Sequence, residues 1–448
     1  MSNTRFLKAT ALFFLSSLLF SIGFSQSLKD TVHPSSTEVV QPIHKNDFTN
    51  GNTCPVRKQG GNPRTVNGIQ VFDGSKDGNR QVDPQVAVGG GYVMEGSNSG
   101  LIIYNKQGEF VQGVSQKCFN NGIDPKMFFD IHNQVFVFDL WWYYDKEKTK
   151  PVNISVSETN NPTGAWNIYP VSRTAEVDGG GIGYSRKWIG YSYPGGVENT
   201  FILRSADARA GKPATIYHFK GSLGHPIFMQ DAIDDLYFFD FEDSMYVIRK
   251  VSEDKNGMPY SQIVAKKAHH LPYYDYPPPS PQLGSKQVVS SGDRNPKNLV
   301  FQNGSIWFSQ AVNCNGRSAV QWLQIRARDG KIEQQGLISS DTTNYIQTTI
   351  AVNKKNDVLI GFQEANERSF ISPRFTYRLA KDPKNTTRPI IHLGEGKAAT
   401  DGQSWGDYSG SIIDGDNQTD MWTIQSITNE KGKNESVIGR WEKSKKYL

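Results

Sequence analysis

The sequence predicts an all-β fold, a seven-bladed β-propeller of four-stranded antiparallel blades with six as the alternative count, and three observations predict it. Apolar runs are short and alternating, rich in β-branched and aromatic residues, and bounded by Gly, Asn, Asp and Pro. Composition agrees: 42 Gly supply turns, while 24 Phe, 19 Tyr and 9 Trp supply the bulk that packed sheet faces bury. A strand-opening phrase restarts seven times at intervals of about 40 to 60 residues, which suits blades rather than solenoid coils.

The chain opens with basic Arg5 and Lys8, an apolar run from Ala9 to Phe20, and small residues at Gly23-Phe24-Ser25 before Gln26. That order reads as a secretory signal peptide over 1–25. The run is short for a membrane helix, and no later segment approaches the ~20 apolar residues of a span. Residues 26–67 carry Pro34, Asn50, Gly51, Gly60, Gly61 and Pro63 with little periodicity and read as a flexible N-terminal arm. The propeller domain is expected over 68–448.

"DPQVAVGGGYVMEGSNSGLIIYNKQGEFV" at 83–111 reads as three strands, Val86 to Val88, Tyr92 to Ser97 and Leu101 to Asn105, turned by Gly89 to Gly91 and by Ser99-Gly100. "DPKMFFDIHNQVFVFDLWW" restarts the phrase at Asp124, and further restarts fall near Ile182, His225, Asp293, Tyr345 and Trp405. The last unit supplies Ser411 to Asp414, Met421 to Ser426 and Ser436 to Trp441, leaving room for a fourth strand. Gly68 to Phe72 is predicted to fill it, so that an N-terminal strand closes the last blade and removes an exposed edge. A double sandwich would also give many short strands, without a shared opening phrase; a parallel β-helix needs shorter, more regular coils.

Formal net charge is +5, falling to +3 without Arg5 and Lys8, and the basic residues are scattered through turns. Nucleic acid is excluded as a partner on that ground. Three cysteines cannot build a disulfide scaffold, but export permits one bridge; Cys54 with Cys118 is the expected pair, with Cys314 free.

"DPQVAVGGGYVMEGSNSGLIIYNKQG", "DPKMFFDIHNQVFVF", "ISVSETNNPTGAWNIYPV" and "SWGDYSGSIIDGDNQTDMWTIQSI" together resemble secreted bacterial β-propeller proteins related to the sialidase-like (Asp-box) superfamily, a group with no established common activity. The resemblance runs from about residue 68 to the end and implies the propeller fold. "SETNNPTGAW", Ser157 to Trp166, resembles a degenerate Asp-box, with Thr159 and Asn160 where the acid is expected. That box is a folding device on the rim. The sialidase arginine trio, Tyr-Glu pair and Asp acid do not map onto this chain.

In a propeller the innermost strands line one channel, so the residues that open them converge at its mouth. Asp407 is thereby expected beside Asp83, Asp124, Asp178 and Asp293, joined by Tyr184, Arg186, His225, Arg294, Tyr345, Trp405 and Tyr408. Read as a site, such a ring fixes hydroxyls and acids by hydrogen bonds and stacks sugar rings on aromatic faces. Read as structure, each Asp caps the backbone amide two residues on. His132, His218 and His225 with Tyr184, Tyr191 and Arg186 offer the proton shuttles and charge offset of a uronic-acid lyase. His269-His270 lacks a third metal ligand at recognisable spacing. No cofactor and no catalytic metal are expected; a structural cation such as calcium stays open.

The function expected is an exported protein, extracellular or periplasmic and monomeric, that binds or processes extracellular glycan or polysaccharide at the channel mouth. As an enzyme it would be a glycoside hydrolase or a uronic-acid polysaccharide lyase. The alternative is a non-enzymatic adhesion or protein-interaction module displaying loops such as Lys266 to Ser285.

Overall fold

The computed structural model describes residues 31–45, 59–76, 82–98, 100–142, 150–175, 177, 179–242, 244–269, 271, 273–402 and 405–445. The expected signal peptide and Cys54 lie outside them. Among the described residues the regular structure is almost wholly strand, with one short α-helix, Ser205–Arg209, and one 3-10 turn, Gln116–Phe119. None of their helices is long and apolar enough to cross a membrane.

Gln85–Gly89, Tyr92–Ser97, Gly100–Asn105 and Phe110–Val114 form a four-stranded antiparallel meander. Met127–Asp130, Val135–Leu140, Val152–Ser157 and Trp166–Val171 form the next. His225–Pro226 opens a third that continues through Leu236–Glu242, Met245–Glu253 and Pro259–Ala268, and Asn344–Val352 opens a fourth that ends at Ile391–His392. The fifth joins Gly410–Ile413, Met421–Thr428 and Asn434–Trp441 to Ile69–Asp73 and Gly61–Val66. There the expected closure is present: Ile69–Asp73 runs antiparallel to the C-terminal strand, with Phe72 opposite Ile438 and Val71 opposite Gly439.

The architecture is a β-propeller, and its blade count is corrected: five sheets stand as separate blades, where seven, or alternatively six, were expected. The strand groups at 181–220 and 299–338 do not form sheets of their own; they are fused into one ten-stranded sheet. Phe228–Met229 is the link, running parallel both to Gly181–Tyr184 and to Leu299–Gln302. Gly183 permits it, since a Cβ there would stand 2.6 Å from the Pro226 carbonyl carbon. With no side chain in the way, the Tyr184 amide donates to the Ile227 carbonyl at 3.2 Å. Counting restarts overstates the number of blades because it is blind to backbone bonds between the inner strands of neighbouring groups.

Side chains between sheets form an aromatic-rich core, with Trp141, Trp166, Trp322, Trp422 and Trp441 all fully buried. Burying a large apolar side chain contributes about 2 to 3 kcal/mol. Cys118, within the Gln116–Phe119 turn, is disulfide-bonded and packs in this core, while Cys314 is a free thiol.

The arm crosses the outer edges of three successive strand groups. Val32 bridges Ser261, Ser36–Val40 pairs antiparallel with Ala214–Lys220, and Ile43–Lys45 pairs with Trp166–Val171. Glu38 ties it down, accepting from the Ser172 amide at 3.0 Å and hydroxyl at 2.8 Å and meeting His218 Nε2 at 3.0 Å. Outer strands that would present unpaired backbone are thus covered by the chain's own N-terminal region.

Candidate functional site

The inner strands open at one end of the channel, where x-Pro pairs lead into four of them: Asp83-Pro84, Asp124-Pro125, His225-Pro226 and Asn295-Pro296. Asp83 and Asp124 hold positive φ, 44° and 51°, a region that non-glycine residues seldom occupy. Each therefore needs surrounding bonds to keep it there. The Asp83 carboxylate accepts the Asp407 amide at 2.6 Å and the Asn98 side-chain amide at 3.0 Å. Asn98 in turn accepts the Asp124 amide at 2.8 Å. Asp83 and Asp407 lie 324 positions apart in sequence, so this is a tertiary link across the closure rather than a local turn device. Gly406 is required beside it: its φ is +106°, and a Cβ would stand 2.6 Å from the Asp83 carboxylate.

Behind that rim lies a buried polar cluster. Burial, then the charge of Asp124, pushes the Asp83 carboxyl well above the usual carboxylate range. Lys126 lies over the Tyr408 ring with no hydrogen-bond partner for its ammonium among the described residues. Burial, then the charge of Lys297, pushes its pKa down, against the pull of Asp124, Asp83 and Asp139. Asp139 accepts the Lys126 amide at 2.7 Å, and burial raises its carboxyl to about 7. Its second oxygen faces the Tyr191 hydroxyl without completing a hydrogen bond. Burial, then the Asp124 charge, drives the Tyr408 phenol well above 10.

The cluster backs a cleft made of two cavities, of about 540 and 410 Å³, that share Gly179, His225, Tyr276, Asp293 and Lys297 in their walls. Asp124, Asp407 and Tyr408 line the smaller one. Arg294, Tyr274 and Asp240 line the larger. Arg294 lies against the rings of Tyr274 and Tyr276, 4.4 and 4.2 Å from their centres, and donates to the Tyr274 carbonyl at 3.2 Å. Part of the His225 ring surfaces in the cleft, yet the rest is packed deeply enough that burial, then Lys297 and Lys126, push it down to about 4. Among the described residues no group of three His, Cys, Asp or Glu is arranged to hold a metal ion.

Of the residues expected at the mouth, Asp124, His225, Asp293, Arg294, Asp407 and Tyr408 line the cleft. Asp83 sits behind the wall, buried, and acts on Asp407 through the backbone. Asp293 also serves its own turn, accepting the Asn295 amide at 3.0 Å, as the capping reading expects. Tyr184 lies at the other end of its strand, stacked on Phe128 at 4.5 Å. Arg186 follows it on that far face, exposed and paired with Asp234 at 2.7 Å. Tyr345 packs edge-on against Phe362 at 5.1 Å, and Trp405 packs on Val289, Ile346, Ala365 and Ile371. Asp178 lies outside the described residues. His132 is held in a hairpin turn by Asp130, and His218 faces the arm on the outer edge. Lys126, Lys297 and Tyr276 are cleft residues that sequence reasoning missed. The first two carry a legible signal, a cation after proline in Asp124-Pro125-Lys126 and Asn295-Pro296-Lys297.

No protein-family model matches the chain, and no curated protein matches it. Solved structures similar to it include Hsv2p of Kluyveromyces lactis, 10% identical over 79% of this chain and 95% of that one, with a TM-score of 0.38. A protein of unknown function from Dyadobacter fermentans is 9% identical over 86% and 98%, with a TM-score of 0.39. An alpha-L-arabinofuranosidase from Clostridium thermocellum is 11% identical over 71% and 95%, with a TM-score of 0.34. At these scores the likeness assigns neither a family nor an activity.

Proposed function

We propose that this protein binds extracellular carbohydrate in the cleft at the mouth of its channel. The observation that carries the reading is Tyr276, an aromatic ring left 58% exposed where the two cavities meet, with polar side chains converging beside it. A flat apolar face flanked by Asp124, Asp293, Asp407 and Arg294 suits a sugar ring, whose faces are apolar and whose edge carries hydroxyls. Asp83, whose carboxyl burial and the Asp124 charge push upward, backs the exposed Asp407 by accepting its backbone amide at 2.6 Å. Of the three carboxylates that line the smaller cavity, Asp293 is held by its own turn, so processing of the bound glycan would fall to Asp124 and Asp407. Export to the periplasm or beyond belongs to the same reading.

A panel of neutral and acidic polysaccharides, scored for binding and for release of reducing or unsaturated ends, tests it. Tyr276→Ala and Asp407→Asn should each weaken binding by about tenfold or more, equivalent to about 1.4 kcal/mol. Binding to none of the panel at millimolar concentration, or unchanged binding by both variants, refutes the proposal. Capture of a protein partner that depends on Tyr276 but not on Asp407 would support an adhesion module instead.

A further inference from the structure

Building on that carbohydrate reading, we infer that the cleft selects a sugar bearing a carboxylate, a uronic acid, and seats that carboxylate on Lys297. Lys297 follows Pro296 just before the inner strand Leu299–Gln302 and lines both cavities. Its one ion pair among the described residues is with Asp293, at 3.6 Å, beyond hydrogen-bonding distance. The Asp293 carboxylate is occupied by the amides of its own turn, accepting from the Asn295 backbone at 3.0 Å and side chain at 3.4 Å. Among the described residues, the Lys297 ammonium, with three donors, therefore has no acceptor within hydrogen-bonding distance.

Arg294 supplies a second cation a few residues away, its plane fixed between Tyr274 and Tyr276 and so pre-organised at low entropic cost. His225 stands in the shared wall as an uncharged imidazole, which can bond a ligand without competing for its charge. Both signs of charge line both cavities: Arg294 and Lys297 with Asp240 and Asp293 in the larger, Lys126 and Lys297 with Asp124, Asp293 and Asp407 in the smaller. A densely charged anion such as phosphate would be repelled by these carboxylates. A neutral sugar would leave Lys297 without an anion. One carboxylate on a polyhydroxylated ring meets both conditions, with its acid toward Lys297 and its hydroxyls donating to Asp124 and Asp407.

The test compares each uronate polymer, polygalacturonate, alginate and hyaluronan oligomers, with its carboxyl-reduced counterpart, in which the acid has become a neutral hydroxymethyl group. At least one acid form should bind about tenfold more tightly than its reduced form. Lys297→Met, which keeps most of the apolar stem and removes the charge, should abolish that preference while thermal melting stays as in the wild type. Equal or tighter binding of reduced forms overturns this inference and leaves the carbohydrate reading standing. Retention of the preference in Lys297→Met also overturns it. If neither form of any polymer binds and neutral glycans also fail, both proposals fall.

Discussion

Asp139 is a buried carboxyl whose ionisation the fold opposes, and Asp139→Asn measures by how much. Burial raises its pKa from the ordinary 3.8 to about 7. Between those values the folded state binds a proton that the unfolded state has released, so wild-type stability falls as pH rises through this window. At pH 8 both states are ionised, and an offset of about three pH units at about 1.36 kcal/mol each gives a penalty of roughly 4 kcal/mol. At pH 5 the folded carboxyl keeps its proton and the penalty is roughly 1.5 to 2 kcal/mol. The amide oxygen of the substituted side chain can still accept the Lys126 backbone N–H, a bond of 2.7 Å in the wild type. Its NH₂ would face the Tyr191 hydroxyl oxygen, which completes no hydrogen bond among the described residues of the wild type. Any fixed packing cost of the substitution cancels between the two conditions. Urea denaturation of both proteins at pH 5 and pH 8, followed by tryptophan fluorescence, should show the variant gaining about 2 to 3 kcal/mol on the wild type at the higher pH. The same offset at both pH values refutes the reasoning, because it would mean that Asp139 ionises in the fold as freely as in the unfolded chain.

His225 should stay neutral at pH 5, where an ordinary imidazole is charged, since its pKa is pushed down to about 4. The unfolded chain takes up that proton near 6.5, so this contribution is complete above 6.5 and is lost as pH falls toward 4; a ring-proton NMR titration with a midpoint near 6.5 would contradict it. Glu38→Ala should loosen the arm rather than the blades. Burial opposes the charge on Glu38, but hydrogen bonds from His218 and Ser172 outweigh it and hold the carboxyl low. Losing these half-exposed bonds costs about 1 kcal/mol, a roughly fivefold rise in local opening. Limited proteolysis should then cut within 31–45 sooner while the thermal transition barely moves. Loss of the whole fold would mean that the arm is integral to the core.

Much of the fold was legible because period-2 alternation and turn residues act locally. Ile69–Asp73 was recoverable as a closing strand because the last unit visibly lacked one. The blade count failed at Phe228–Met229, where one glycine allows two backbones to meet and no residue pattern announces it. At the mouth, proximity to the start of an inner strand brought out Asp407, His225 and Arg294 but also swept in Tyr184 and Arg186. These lie one strand length further on, and four residues of extended chain carry them to the opposite face. Tyr276 escaped notice because its proline-rich loop reaches the cleft from outside the repeat.

By itself the sequence determined that short aromatic strands would pack as repeated small sheets and that the chain's two ends would share one of them. Those outcomes depend on side-chain periodicity and turn chemistry, which residues carry wherever they stand. Only the tertiary structure decided which charges face each other. The bond from Asp407 to Asp83, the crowding of Lys126 against Tyr408 and the meeting of Lys297 and Asp407 in one cavity depend on distances between distant segments. Coulomb and desolvation energies vary steeply with such distances, and a linear order of residues does not contain them.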